Sequence, residues 1–303
     1  MKQALDIHPS VQDALDRGGP VVALESTLIT HGLPYPTNLA VAHAMEDAVR
    51  EAGALPATIA FLGGRVTVGL NRDQIAYLAE ARNVRKCSRR DFAAAVARRE
   101  DGATTVAGTM IVAAWAGIPV FATGGIGGVH RGQPFDVSAD IEELGRTRVM
   151  VVCAGAKAIL DLPLTLEALE TRGVPVIGYG VDTFPAFYER SSGLPVDARC
   201  DSPGEVAGLW RAHCELGMSG GMLLTVPVPE ADAVPGEIAE RAIREALEEA
   251  DARGVRGKET TPFLLARVSE LTGQASMKAN ISLLKNNARH AALFAATIAG
   301  EQG

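Results

Sequence analysis

The chain has 303 residues, room for one large domain or two modest ones at roughly 150 residues each. Hydrophobic residues make up 47% and charged residues 21%, the mix of a globular protein with a sizeable core, which excludes a disordered or fibrous chain. With 29 Lys and Arg against 36 Asp and Glu the net charge is −7, which disfavours generic nucleic-acid binding but permits a small anion at a local site.

The opening segment, residues 1–19, carries charges throughout and has no apolar h-region, so it does not read as a secretory signal. Val21–Leu24 reads as a buried strand, and residues 38–52 carry an amphipathic helical pattern. Residues 58–62 form the next strand, closed by Gly63 and Gly64, and residues 73–81 and 91–99 read as helices. The uncharged stretch 103–123 invites comparison with a membrane span, but spans need about 20 mostly apolar residues. Gly117-Ile118-Pro119 divides it into a buried helix and a short core strand, so no membrane is expected as a partner.

Apolar strands follow over residues 149–153 and 174–179, then a strongly amphipathic helix over 236–253 and a last helix over 279–298. This alternation predicts an α/β fold whose helices cover a sheet that is apolar on both faces. Neither a linker nor a repeat separates the halves, so a single domain over residues 1–303 is expected. Four scattered cysteines with no Cys-x-x-Cys pair point away from a disulfide scaffold or structural zinc and towards a reducing, cytoplasmic setting.

In open α/β folds ligands bind where strands run out into helices, and four such places hold unusual residues. Glu25 directly follows the first buried strand; it reads as a cap or surface acid, or as a proton donor if desolvation raises its pKa. Gly124-Gly125-Ile126-Gly127-Gly128, followed by His130, matches neither a dinucleotide fingerprint nor a P-loop. It is either a tight turn or a loop whose amides approach a phosphate or metal-bound water. Asp136 and Asp140 flank Ser138, a pattern that on spacing alone favours a helix start capped by Ser138 over one carboxylate holding a hydrated hard ion.

Lys157 lies in the small-residue turn after strand 149–153, where a partly desolvated amine could attack a carbonyl carbon; the alternative is a lysine that reaches solvent. Arg82, Arg85, Lys86, Arg89 and Arg90 form the dense basic cluster, a solvated helix start with one member available to a phosphate. Asn280, Asn286 and Asn287 in the last helix are candidates for sugar hydroxyls or ordinary surface amides.

Taken together, ALESTLITHGLPYPTN (23–38), KCSRRDFA (86–93), GATTVAGTM (102–110), ATGGIGGVHRG (122–132), FDVSADIEEL (135–144), VVCAGAKAILDLPLTLEALET (151–171), DTFPAFY (182–188), KETTPFLL (258–265) and MKANISLLKNNA (277–288) resemble the pseudouridine-5′-phosphate glycosidase family, also known as indigoidine-synthase-A-like proteins. The resemblance spans residues 5–299 and implies a three-layer α/β/α fold around a largely buried sheet, assembled as a homotrimer. It implies a C-glycosidase of the lyase class, cleaving pseudouridine 5′-phosphate reversibly to uracil and ribose 5-phosphate with a divalent ion, usually Mn²⁺, and Mg²⁺ as the alternative. By position in the motifs, Lys157 corresponds to the nucleophile, Glu25 to the proton donor and Asp136 to the metal ligand. Lys86, Val106, Ser138, Ala139, Asp140, Asn280 and His130 fall at substrate-binding positions.

Thr225-Val226-Pro227 departs from the family's usual Ala-Asn-Pro, and Gly108 and Thr260 replace more usual Ala and Ile. Two rival readings keep part of the pattern: a Schiff-base lyase or aldolase on another phosphosugar, and a non-enzymatic accessory protein of a pigment or nucleoside pathway.

Overall fold

The computed structural model describes residues 5–255 and 260–300. Its spine is a run of parallel strands in which β2 (Val21–Leu24) lies between β3 (Leu55–Leu62) and β7 (Val120–Ala122), followed by β10 (Met150–Cys153), β14 (Met222–Thr225), β12 (Val176–Tyr179) and β13 (Ala198–Cys200). On the other side β4 (Arg65–Val68) turns back antiparallel on β3, and β1 (Leu5–Ile7) adds to β4. Two short strands, β5 (Arg85–Cys87) and β6 (Gly102–Thr104), join through β3.

Every residue of β2, β7, β10 and β14 is buried. Side chains alternate along a strand, so burial at every position requires cover on both faces, as the run of apolar residues predicts. α11 (Ala275–Gly300) lies along β2, β7 and β10, with α2 (Thr37–Glu51) and α8 (Pro203–Glu215) packed on it. α5 (Val106–Ala116) packs against β2 and β7 and pairs with α6 (Ala139–Leu144). α5 is the buried helix expected in the uncharged stretch, ended by Gly117 in the left-handed conformation (φ 86°). No helix among the described residues is long and apolar enough to cross a membrane.

Several boundaries differ from expectation for local reasons. β3 starts at Leu55, three residues before the apolar run, because Pro56 hides a strand that pairs Val22 with Pro56. The helix expected over 91–99 is a 3₁₀ turn, Arg89–Asp91, followed by the six-residue α4 (Phe92–Ala97). α11 begins at Ala275, right after Gly273 and Gln274 at positive φ, and polar Ser276 and Lys278 obscure its first turn in the sequence. The short strands β13 and β14 go unread in the sequence, β14 although it is central.

A small antiparallel sheet of β11 (Leu160–Asp161), β8 (Val129–His130) and β9 (Gln133–Val137) stands beside the carboxyl ends of the main strands. Arg131 ties it down, donating to the carbonyls of Leu160 and Ala158, both at 3.1 Å, and pairing with Glu240 at 2.6 Å. Glu240 lies on α9 (Gly236–Ala252), which packs with α10 (Thr260–Leu271).

Candidate active site

Neighbouring parallel strands end side by side, so residues far apart in sequence converge just beyond β2, β7 and β10. Glu25 follows β2, Thr123 follows β7, and Lys157 comes four residues after β10. The loops after β7 and β10 are zipped together: Ala154 N donates to Gly124 O at 2.9 Å, Ile126 N to Gly155 O at 3.0 Å, and Lys157 N to Ile126 O at 3.1 Å. Gly155 (φ 86°) makes this possible, because a Cβ there would sit 2.3 Å from the Pro185 carbonyl oxygen.

The Glu25 carboxylate is held from both sides. Thr123 Oγ1 donates to Oε1 at 2.5 Å, and Thr27 Oγ1 donates to Oε2. Behind Thr123, Asn287 on α11 is fully buried and its amide donates to the carbonyls of Thr123 at 2.8 Å and Gly124 at 3.3 Å. Burial pushes the nearby Cys153 thiol up to about 12, so it stays protonated and inert beside the lysine amine.

Glu25, Thr27, Lys86 and Lys157 line two adjoining cavities. The smaller, about 70 Å³, has mostly apolar walls, including Leu28, Phe187, Leu265 and Leu284, with Asn280 as a polar group. Phe187 holds a positive φ of 65°, rare for a bulky residue, and its ring closes over Gly125. The larger, about 610 Å³, is lined by Lys86, Arg89, Arg90 and Arg146 together with Val106, His130, Asp136 and the Ser138–Asp140 turn. Arg89 is anchored to Glu143 by hydrogen bonds of 2.6 and 2.9 Å, which raise its pKa further above the ordinary arginine value. The structure therefore brings all ten expected site residues to one place: Asn280 in the apolar lobe, six in the basic lobe, including His130 and Asp136, and Glu25, Lys86 and Lys157 where the lobes meet.

Their engagement differs from the sequence expectation in two respects. Asp140 is buried, and each carboxylate oxygen accepts a backbone N–H, from Ala107 at 2.9 Å and from Gly127 at 2.8 Å. Its side chain thus braces the lobe, while Ser138 caps α6 by accepting from Asp140 N at 3.2 Å. In the glycine-rich loop the amides of Ile126, Gly127 and Val129 are spent on Gly155, Asp140 and Thr165. The glycines serve close packing: a Cβ on Gly127 would lie 2.3 Å from Ser138 Oγ, and one on Gly128 the same distance from Thr165 Oγ1.

A metal ion would have a sparse donor set. Among the described residues no three His, Cys, Asp or Glu side chains cluster to hold one. The Asp136 side chain is 60% exposed, with Oδ2 3.2 Å from His130 Nδ1. His130 Nδ1 also lies 3.3 Å from the Asp136 carbonyl, and the buried Nε2 has no hydrogen-bond partner among the described residues. One open carboxylate and one orphaned ring nitrogen fit a largely hydrated hard ion and not a closed protein cage.

Residues 10–297 match the family model described as indigoidine synthase A like protein. The chain belongs to that family. Among curated relatives, the pseudouridine-5′-phosphate glycosidase of Hahella chejuensis is 55% identical over 300 residues, covering 98% of this chain and 99% of its own. That of Caldanaerobacter subterraneus subsp. tengcongensis is 52% identical over 297 residues, covering 97% of each. Two solved structures share the fold. Prealnumycin C-glycosynthase, crystallised with ribulose 5-phosphate, superposes with a TM-score of 0.91 at 43% identity, over 99% of this chain and 98% of that one. An indigoidine synthase A-like protein from Thermotoga maritima gives 0.88 at 33% identity, over 97% and 96%.

In this indigoidine synthase A-like protein, the departures from the family pattern, at Val226, Gly108 and Thr260, are not among the residues that line the two cavities. Val226 is buried and its N–H donates to the Cys153 carbonyl at 2.8 Å, so it packs at the end of β14. At Gly108 a Cβ would lie 2.4 Å from the Cys87 carbonyl oxygen, so the strand that carries Lys86 approaches α5 more closely than an alanine permits. Lys258 and Glu259 of the KETTPFLL motif lie outside the described residues. Sequence reasoning missed Thr27, Thr123 and Phe187; for Thr123 the strand-end rule that singled out Glu25 was the available signal.

Proposed function

We propose that this chain is a pseudouridine-5′-phosphate glycosidase, cleaving the bond between ribose C1′ and uracil C5 reversibly to give uracil and ribose 5-phosphate. The observation that carries the reading is that Lys157 and Glu25 stand where a basic lobe meets an apolar one. A phosphosugar suits the first lobe and a flat neutral base the second. The names of relatives 52–55% identical over nearly the whole chain support it. Membership of this family makes the chain an enzyme of the C-glycosidase class.

A carbanion is a poor leaving group, so paired carboxylates alone are not enough for a carbon–carbon glycoside. In the proposed sequence Glu25 enters protonated and gives that proton to the ring oxygen as the C1′–O4′ bond opens and the neutral Lys157 amine bonds to C1′. The ammonium so formed passes a proton back to the Glu25 carboxylate. The C1′–C5 bond then breaks with its electron pair on C5, which takes that proton from Glu25, while the freed nitrogen lone pair completes an iminium at C1′. Water hydrolyses the iminium, releasing ribose 5-phosphate and restoring the amine. Lys86 and the arginines of the basic lobe hold the phosphate, and Asn280 faces the base. Asp136 would hold a divalent ion, Mn²⁺ before Mg²⁺, which when bound supplies positive charge beside the phosphate. The catalytic unit is a single domain, assembled as a homotrimer in the cytoplasm.

The test mixes protein, uracil, ribose 5-phosphate and Mn²⁺ and looks for pseudouridine 5′-phosphate by mass and chromatography. Borohydride then traps ribose 5-phosphate on the protein; peptide mapping is expected to place the label on Lys157, and a label elsewhere overturns the nucleophile. A second reading, C-glycoside formation with an acceptor other than uracil, draws on the likeness to prealnumycin C-glycosynthase at 43% identity. It requires the uracil reaction to fail.

A further inference from the structure

The apolar lobe does not end beside Lys157. Gly32, Leu265 and Asn280 line it and also line a neighbouring chamber of about 230 Å³, larger than the about 70 Å³ of the lobe itself. Of the polar side chains around that chamber, the outward-lying Glu270 is paired with Arg267 at 2.8 Å, Asn280 sits on the shared wall, and the others are engaged locally. Ser269 Oγ donates to Gln274 Oε1 at 3.1 Å, Ser276 Oγ lies 3.0 Å from Thr272 Oγ1, and the buried Tyr188 hydroxyl is bonded to Ser276. Leu33, Pro34, Leu265 and Met277 supply apolar wall. Such a space favours an uncharged apolar group over a polar one, which would lose water without gaining partners.

We propose that this chamber extends the base site, so that the enzyme also takes C-ribosyl phosphates whose base carries an apolar substituent on the edge remote from C5. The inference rests on the reading that the base is joined through C5 to the carbon that Lys157 attacks. With C5 at the Lys157–Glu25 junction and the ring in the apolar lobe, the edge formed by N1, C2 and N3 is farthest from the reacting carbon. That edge faces the wall shared by Gly32, Leu265 and Asn280, beyond which the chamber lies.

The test compares pseudouridine 5′-phosphate with its N1-benzyl and N3-benzyl derivatives. At least one derivative is expected to be cleaved with kcat/KM within about tenfold of the parent. Met277→Trp, at a residue that lines the chamber but not the apolar lobe, is expected to lower the derivative's kcat/KM by more than about tenfold while the parent changes by less than about threefold. Met277→Ala widens the chamber and is expected to keep both substrates, which separates filling of the space from damage to the helix. Cleavage of the parent with neither derivative accepted overturns the inference and leaves the glycosidase reading standing; so does a Met277→Trp loss equal for both substrates. Failure on the parent itself overturns the glycosidase reading, and the inference with it.

Discussion

The hydroxyl of Thr123 donates to Oε1 of Glu25 at 2.5 Å across 98 positions of sequence, joining the end of β7 to the end of β2. With Thr27 on the other oxygen, the carboxylate has one orientation and presents it to the cavity where Lys157 stands. The buried amide of Asn287 fixes Thr123 in turn, so α11 reaches the reacting groups through the backbone of the β7 loop.

Thr123→Val is therefore expected to slow turnover without weakening substrate binding. A hydrogen bond to a charged group contributes about 1.5–3 kcal/mol, which corresponds to roughly a 10–100-fold fall in kcat if it is fully used in the transition state. KM should stay within a few-fold, and Thr123→Ser should recover most of the rate because it keeps the hydroxyl. Steady-state kinetics of the three proteins decide it; equal losses in Val and Ser variants would show that shape matters there and the bond does not.

Asn287→Leu removes the donor that two buried carbonyls share. Gly124 O keeps its bond from Ala154 N at 2.9 Å, but the Thr123 carbonyl loses the Asn287 donor, a loss of about 1–3 kcal/mol of stability visible as a lower urea midpoint at an unchanged slope. Asn287→Asp should be worse, since it sets a buried negative charge against the same carbonyls. Urea unfolding that ranks Asp above Leu in stability would contradict this account.

Gly127→Ala tests the close-packed loop. Its Cβ would meet Ser138 Oγ at 2.3 Å and Asp140 Oδ2 at 2.8 Å, so the Gly127–Asp140 hydrogen bond and the α6 cap must both shift. A rise in KM of about tenfold or more is expected, since roughly 1.4 kcal/mol of binding energy is enough to produce it. Gly208→Ala is the matched control: it lies in α8 with nothing within 4 Å of the new Cβ, and should raise stability by up to about 1 kcal/mol.

How much of this was legible in the sequence depends on which physical signal each part leaves. Val21–Leu24 and Met150–Cys153 were visible because strands buried on both faces are apolar throughout, and Glu25 and Lys157 stood out as charges placed just after them. Thr123 shares that strand-end position without a charge to draw attention, and Phe187 left no mark at all. A threonine is unremarkable until the partner 98 residues away is known, and the positive φ of Phe187 has no sequence signature in a non-glycine residue. Asp140 was legible as a carboxylate at the right place, but whether its oxygens face a ligand or Ala107 and Gly127 depends on tertiary packing alone. The glycine-rich loop was visible as a loop; its reason, room for Ser138, Thr165 and Phe187, was not.

The last prediction concerns pH and stability, through two half-buried groups with opposite signs. His290 packs edge-on against Tyr179, with its Nδ1 2.8 Å from the Asn286 carbonyl. Burial lowers its pKa below the ordinary value, and the charge of Arg289 adds to the fall against the Asn286 bond. The unfolded chain therefore binds a proton that the folded one resists, so the stability this site contributes is present above about pH 6.5 and is lost as pH drops towards the folded value. Glu189 is the reverse case: burial, with repulsion from Glu240, raises its pKa. Its contribution is present below about pH 4.3 and is lost as pH rises through the folded value. Between pH 7.5 and 5, His290→Gln should flatten the decline of the unfolding free energy, whereas Glu189→Gln should steepen it by removing a group that favours the acid side. Urea titrations at several pH values measure both slopes; a wild-type slope unchanged by His290→Gln would place the acid sensitivity elsewhere in the fold.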